Sequence, residues 1–158
     1  LNTQNKQSSV YVNMRACFWM KAFSFNPGSK EYKEFGCPSE MRPYLLAILN
    51  SNLFFLYWTI VSDCWHITNK ELSEFFVPTD GVCLDIFRIL TSKLERKLER
   101  TKKYIGSVQT QYEYKHRECK PEIDAIDDAL QDIYGLTDEE VAFLKEYKLK
   151  YRMSNGTI

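Results

Sequence analysis

Residues 44–61 read YLLAILNSNLFFLYWTIV, and the reading of these 18 residues decides the fold. By length the stretch is close to a membrane-spanning helix. Asn50, Ser51 and Asn52 stand in its middle, where unpaired polar groups are costly in lipid. Two short buried helices broken at Asn-Ser-Asn fit better. The first covers roughly 40–49, with Ser39 as its cap and Pro43 in its first turn. Asn50 tolerates a left-handed conformation after the helix, and Ser51 then caps the second helix, about 52–62. Phe54, Phe55, Tyr57 and Trp58 surround that helix, so it is expected to be largely buried.

Upstream, the polar start LNTQNKQSS is expected to be frayed. In residues 10–25, Val10, Val12, Met14, Ala16, Phe18 and Met20 alternate with Tyr11, Asn13, Arg15, Cys17 and Trp19. Period-two patterning with β-branched and aromatic residues predicts one or two strands. Asn26-Pro27-Gly28-Ser29 is a turn by residue type, and residues 35–39 form a second loop.

Downstream, Thr68 or Asn69 caps a short helical turn, and Phe75-Phe76-Val77 reads as a strand stopped by Pro78. From about Val82 to Ile105 the period becomes helical. Ile86, Ile89 or Leu90, Leu94 and Leu98 form an apolar stripe opposite Arg88, Lys93, Arg96, Lys97, Arg100, Lys102 and Lys103. Gly106 and Ser107 end this basic helix. In the tail, Pro121 suits a first helical position. Ile123, Ile126, Ala129, Leu130 and Ile133 form one face, and Gly135 follows the helix end. Thr137-Asp138-Glu139-Glu140 is a capping box that opens a second helix, making a helical hairpin. The expected fold is α+β, with a small mixed or antiparallel sheet, packed helices, a long amphipathic helix and the C-terminal αα-hairpin. The chain divides into a core at 1–81, a basic spacer helix and connection at 82–120, and the closing hairpin at 121–158.

The 158 residues are 44% hydrophobic and 27% charged, enough for a core and not a disordered composition. A net charge of +0 excludes a uniformly basic or strongly acidic protein. The charge is unevenly placed: residues 80–121 carry ten basic and six acidic side chains, and residues 122–158 carry four and nine. An acidic tail is expected to face away from any nucleic acid. The five cysteines, at 17, 37, 64, 83 and 119, show no Cys-x-x-Cys spacing. An odd number without a secretory leader fits reduced thiols and a cytoplasmic location, with no membrane partner. His66 and His116 do not stand at ligand spacing, so no metal site is expected. Cys64 and His66 do not make a catalytic dyad by proximity alone. Asp124, Asp127 and Asp128 read as the solvated face of their helix. The chain lacks a starting methionine, which suggests a processed chain or a fragment.

Three passages together resemble one family. YLLAILNSNLFFLYW is similar to the Leu-Asn-Ser helix pair of target recognition domains in restriction–modification systems. ELSEFFVP, followed by a long polar helix, resembles the strand and spacer helix of the same domains. KPEIDAIDDALQDIYGLTDEEVAFLKEYKLKYRM resembles the C-terminal end of type IIG restriction enzyme–methyltransferases with a TaqI-like specificity domain. In those enzymes this end also closes on Tyr-Arg-Met, here Tyr151-Arg152-Met153. The resemblance covers about residues 10–153. The family's Asn-Pro-Pro-Tyr motif and its Gly-containing cofactor loop do not occur here. Asn26-Pro27 continues as Gly28-Ser29, and no Pro-Asp…Glu-x-Lys nuclease set is evident.

The resemblance implies the C-terminal recognition part of an adenine-specific DNA methyltransferase, with or without restriction activity and non-catalytic by itself. Its partners would be double-stranded DNA and the upstream methyltransferase domain of the same chain. No cofactor is expected in the fragment; S-adenosylmethionine, and Mg if a nuclease is present, would belong to the missing domains. A recognition domain must grip phosphates and read base edges. Asn13, Arg15 and Lys21 are candidates for reading, and Lys30 and Lys33 for phosphates. His66, Asn69 and Lys70, beside Trp65, form a second polar loop. The plainer readings are solvated charge for the cations and helix capping for Thr68 or Asn69. The run Tyr112, Tyr114, Lys115, His116 and Arg117 could stack bases or form a strand or loop edge. The alternative function is a protein-interaction module built on helices 82–105 and 121–147.

Overall fold

A computed structural model describes residues 7–154. Residues 1–6 of the polar start lie outside them, while residues 7–9 are not frayed but begin a strand. The fold is α+β. Strands β1 (Gln7–Asn13), β2 (Ala22–Phe23) and β3 (Tyr32–Pro38) form an antiparallel sheet ordered β2-β1-β3. Val10 and Val12 of β1 are buried, as the alternation predicts. Helices α1 (Arg42–Asn50) and α2 (Asn52–Val61) follow, and α3 (Asn69–Glu74) is one short turn. Helix α4 (Asp85–Thr101) leads into a two-stranded hairpin, β4 (Lys103–Tyr104) and β5 (Tyr112–Glu113). A 3₁₀ turn at His116–Cys119, helix α5 (Lys120–Tyr134), helix α6 (Asp138–Glu146) and the short α7 (Leu149–Arg152) close the described chain.

Helix α1 is the central layer. Leu46 packs with Val10, Val12, Phe54, Phe55 and Trp58 beneath the sheet. Tyr44, Ala47 and Ile48 pack on the other side with Phe23, Phe87, Leu94, Leu98, Ile123, Ile126 and Leu130. Among the described residues no single helix is long and apolar enough to cross a membrane. Helices α1 and α2 have the length only together, and they bend by 62° at the break. Trp58, Phe54 and Phe55 are almost fully buried.

The polar break holds the layers together. Asn50 does not adopt a left-handed conformation but remains helical. Its side chain is committed elsewhere, accepting from Ala22 N at 3.1 Å and donating to Ala22 O and Leu46 O at 2.9 Å each. It thereby serves as a pairing partner for the short strand β2. Ser51 caps α2 by accepting from Phe54 N at 3.0 Å. Asn52 reaches α5 and the tail: its Nδ2 donates to Asp127 Oδ2 at 2.8 Å, and its Oδ1 accepts from Arg152 Nη1 at 2.7 Å.

Asp127 is thus not part of a solvated face. It is 1% exposed and accepts from the backbone N–H groups of Asn52 and Leu53, at 3.0 Å each. A carboxylate from another helix satisfies the first-turn donors of α2 and complements its dipole. Burial nevertheless raises its pKa to about 6, against those hydrogen bonds. Arg152 lies between the rings of Trp19 and Phe55, 4.1 Å from each centroid, and donates through Nε to Phe18 O at 2.7 Å. Burial lowers it to about 10, still charged at neutral pH.

Other expectations are corrected. Ser39 does not cap α1; Met41 takes the cap position without a side-chain bond, and Ser39 Oγ pairs with Ser8 Oγ at 2.6 Å. Residues 75–77 are not a strand. The carbonyls of Phe76 and Pro78 accept from Tyr134 and Tyr44 hydroxyls at 2.8 Å, so tyrosines replace a strand neighbour. Helix α4 ends at Thr101, and its buried stripe is Phe87, Thr91, Leu94 and Leu98. Of the expected stripe, Leu94 and Leu98 are buried and Leu90, not Ile89, packs against the core, while Ile86 is exposed; Thr91 joins the buried face by donating to Phe87 O at 2.6 Å. Tyr114 and His116 belong to the interior, with Tyr114 4.6 Å from the Phe23 ring. The Thr137–Glu140 capping box and the left-handed Gly135 occur as the sequence signals predict, and of the two caps expected for α3 it is Thr68 that serves, in a capping box with Glu71.

Replacing Asp127 by Ala leaves two helix N–H groups and the Asn52 amide without their acceptor, and removes the carboxylate charge that favours buried Arg152. The expected loss is about 3 kcal/mol or more, against about 1 kcal/mol for removing the Ser51 cap in Ser51→Ala. Equal losses in urea unfolding would contradict this ranking. His116 offers a second test. It is fully buried, Nε2 has no partner, and burial lowers its pKa to about 3. The neutral imidazole is therefore the folded form. Its contribution is complete above the ordinary pKa near 6.5 and is lost as pH falls toward 3, by up to about 5 kcal/mol. Asp127 works in the opposite sense, losing stability as pH rises from about 4 to 6. His116→Leu is expected to move the acid-unfolding midpoint, followed by circular dichroism, to lower pH. An unmoved midpoint would refute the assignment.

Candidate nucleic-acid interface

Strand β1 ends where Asn13 turns its side chain back on the chain. Asn13 Oδ1 accepts from Arg15 N at 2.8 Å, and Asn13 N donates to Lys21 O at 2.9 Å. Residues 14–16 then leave the sheet and pair with residues 65–67. Ala16 N donates to Trp65 O at 3.1 Å, and Ile67 N donates to Met14 O at 3.0 Å. This pairing sets Arg15 opposite His66.

The loop carrying His66 is held by Asp63. Its Oδ1 accepts from Trp65 N at 2.8 Å and His66 N at 2.9 Å, and its Oδ2 contacts His66 Nδ1 at 3.1 Å. These bonds hold the carboxyl down at about 2. Cys64 sits at a left-handed φ of 61°, which turns the chain sharply. Buried Ile67 fixes the far end. The Thr68–Glu71 capping box follows and presents Asn69 and Lys70 on the first turn of α3, both exposed. Lys33 is on strand β3 rather than in a loop, and its Nζ lies 3.5 Å from Asn69 Oδ1.

Arg15, Lys33, His66, Asn69 and Lys70 therefore gather at one rim of the sheet. The Arg15 side chain is 63% exposed and Trp65 is 62% exposed. Asn13 is buried beneath the rim and shapes it rather than facing outward. Lys30 lies beside the rim, in the loop that joins Arg15 through Glu31; Arg15 Nη1 donates to Glu31 Oε1 at 3.2 Å. Lys21 departs from expectation. It is half-buried, and burial lowers its ammonium pKa, so it is poorly placed to read a base. The reason lies in the short loop 14–21, which must return buried Met20 to the core beside it.

Sequence reading missed the β4–β5 hairpin, which adjoins the same rim. Ser29 pairs with Thr110, and Lys30 N donates to Gln109 O at 2.9 Å. The available signal was the short Tyr-Ile-Gly-Ser-Val-Gln-Thr turn between aromatic residues. Among the described residues, no group of three or more His, Cys, Asp or Glu could hold a metal ion. One cavity, of about 330 Å³, places the Ser24 hydroxyl against the Glu95 carboxylate, with Ser24 Oγ donating to Glu95 Oε2 at 2.7 Å and Ser24 N to Oε1 at 3.0 Å, which holds the β2 end to α4. Another cavity, of about 480 Å³, lies under the hairpin and is lined by Tyr112, Tyr114, Lys102, Glu99 and Pro27 among others.

If Asp63 organises the rim, Asp63→Ala should loosen it without unfolding the protein. Amide exchange at Trp65 and His66 is expected to speed up at least tenfold, with Tm nearly unchanged. Unchanged exchange would show that the backbone pairing to residues 14–16 suffices. No protein family, curated protein or solved structure was found to match this chain.

Proposed function

We propose that this chain recognises DNA sequence as the C-terminal part of an adenine-specific restriction–modification methyltransferase, and that it performs no chemistry by itself. The observation that carries this reading is the convergence of Arg15, Lys33, His66, Asn69 and Lys70 on one rim built by hydrogen-bonded loops. Cations on such a rim suit phosphates, while Asn and Arg side chains suit base edges. Exposed Trp65 adds an aromatic face. The resemblance of the helix pair and tail to TaqI-like target recognition domains points the same way. S-adenosylmethionine and the base-extruding site would belong to the upstream methyltransferase domain. The protein would act in the cytoplasm, with its cysteines reduced.

A second reading, a protein-interaction module, is favoured by exposed Ile86 and Ile89 on α4 and Phe143 on α6. These residues suit the docking of an upstream domain or a second copy.

Duplex binding followed by fluorescence anisotropy separates the two. Engagement of phosphates by Arg15, Lys30, Lys33 and Lys70 predicts a log–log salt slope of about −3 to −4. Arg15→Ala and Lys70→Ala should each weaken binding, and DNA should shield Trp65 from acrylamide quenching. Concentration-dependent self-association without duplex binding at low salt would favour the interaction reading.

A further inference from the structure

We propose that the β4–β5 hairpin enters the major groove, with Gln109 reading a base edge and Val108 packing beside it. This rests on the DNA-recognition reading above and names the element that would supply specificity. The first observation is exposure. Val108 is 89% exposed, Tyr104 68% and Ile105 48%. A cluster of apolar side chains on one tip marks a contact surface more than scattered exposed residues do.

The second observation is that the tip is built rigid. Ile105 N and Gly106 N donate to Gln111 O at 2.9 and 3.1 Å. Ser107 N and Oγ donate to Thr110 O at 3.0 and 2.8 Å, and Thr110 N donates to Ser107 Oγ at 2.9 Å. Gly106 has a φ of 63°, and a Cβ there would meet Tyr104 Oη at 2.9 Å, so the tyrosine ring lies against bare backbone. One flank of the hairpin is fastened to the rim. Gln111 N donates to Gly28 O at 3.1 Å, and the Ser29 and Thr110 hydroxyls meet at 3.0 Å. A tip fixed before binding loses little entropy on contact.

The third observation is charge. Residues 100–118 carry Arg100, Lys102, Lys103, Lys115 and Arg117 against Glu113 and Glu118, with Lys115 4.0 Å from Glu118 and Arg117 donating to Ser154 O at 3.1 Å. Lys102 is committed to Glu99 at 2.9 Å and to the face of Tyr112 at 4.1 Å. Lys103 and Lys30 are exposed on either side of the tip, although Lys103 stands opposite Glu113 across the hairpin. An apolar tip with a cationic base is complementary to a groove bordered by phosphates. A two-stranded ribbon fits the major groove, where a Gln amide can pair with adenine and an aliphatic side chain can meet a thymine methyl.

Selection of bound duplexes from a randomised pool tests this with the 158-residue chain. The wild type is expected to enrich one sequence. Gln109→Ala should lose preference at one base pair and bind the selected duplex at least tenfold more weakly, leaving random-duplex affinity unchanged. Lys103→Ala should weaken both duplexes alike and lower the salt slope by about 1. These side chains are exposed, so circular dichroism should not change. If Gln109→Ala and Val108→Ala keep full preference while Arg15→Ala loses it, the hairpin assignment falls and DNA recognition by the rim stands. If the wild type binds no duplex at low salt, both fall. If Val108→Ala instead abolishes self-association in sedimentation, the tip is a protein contact and the proposal is overturned.

Discussion

The amide of Asn52 joins three separate elements. Its oxygen accepts from Arg152, and its nitrogen donates to Asp127 and, at 2.9 Å, to Asp124. The side chain thus stands between a buried cation and buried or half-buried anions, and its orientation is set by that polarity. A hydrophobic residue at position 52 could continue the apolar run, but it would leave Asp127 and Arg152 without their intermediary. Taking two charges out of water is expensive, and recovering the cost requires well-satisfied hydrogen bonds. Here the remaining carboxylate capacity is filled by the first N–H groups of α2, and the guanidinium plane by two aromatic faces. The polar break that argues against a membrane span is therefore also what binds α2, α5 and the tail together.

Local signals were the most legible. Ser51, the Thr137–Glu140 capping box and Gly135 act within a few residues of themselves, so chain spacing is enough to read them. The failures share a different cause. Asn50 was free to be a helix terminator until β2 claimed its amide, and Asp127 was a surface carboxylate until the α2 N-terminus met it. Phe75–Val77 has strand composition, yet tyrosine hydroxyls from 58 and 34 residues away satisfy the carbonyls of Phe76 and of the following Pro78. In each case a partner distant in sequence set the outcome. The phase error in α4 is similar: Thr91 is polar by type and enters the core because its hydroxyl bonds within the helix.

The candidate site was legible as residue types and not as a surface. Arg15, Lys33 and the stretch holding His66, Asn69 and Lys70 come from three separate segments, and the pairing of residues 14–16 with 65–67 together with that of β1 with β3 gathers them. Lys21 shows the limit of reading a polar residue inside an alternating run. The alternation stops after Asn13, so its continuation to Lys21 carried no information about facing.

The tail bears on the rim through one residue. Tyr151 is 63% exposed and Met153 42%, whereas Arg152 between them is buried. Of the Tyr-Arg-Met sequence, the arginine alone packs deeply. Its guanidinium bonds Phe18 O, and its own carbonyl accepts from Trp19 Nε1 at 3.2 Å. Phe18 and Trp19 belong to the loop that begins with Arg15. A residue 137 positions after Arg15 thus anchors the segment presenting it. The anchoring is electrostatic at one end, through Asn52 to Asp127, and aromatic at the other. A tail carrying nine Asp and Glu residues in this way steadies the segment that presents Arg15. The carboxylates that meet Arg15 and His66 come from neighbouring loops instead, Glu31 at 3.2 Å and Asp63 at 3.1 Å.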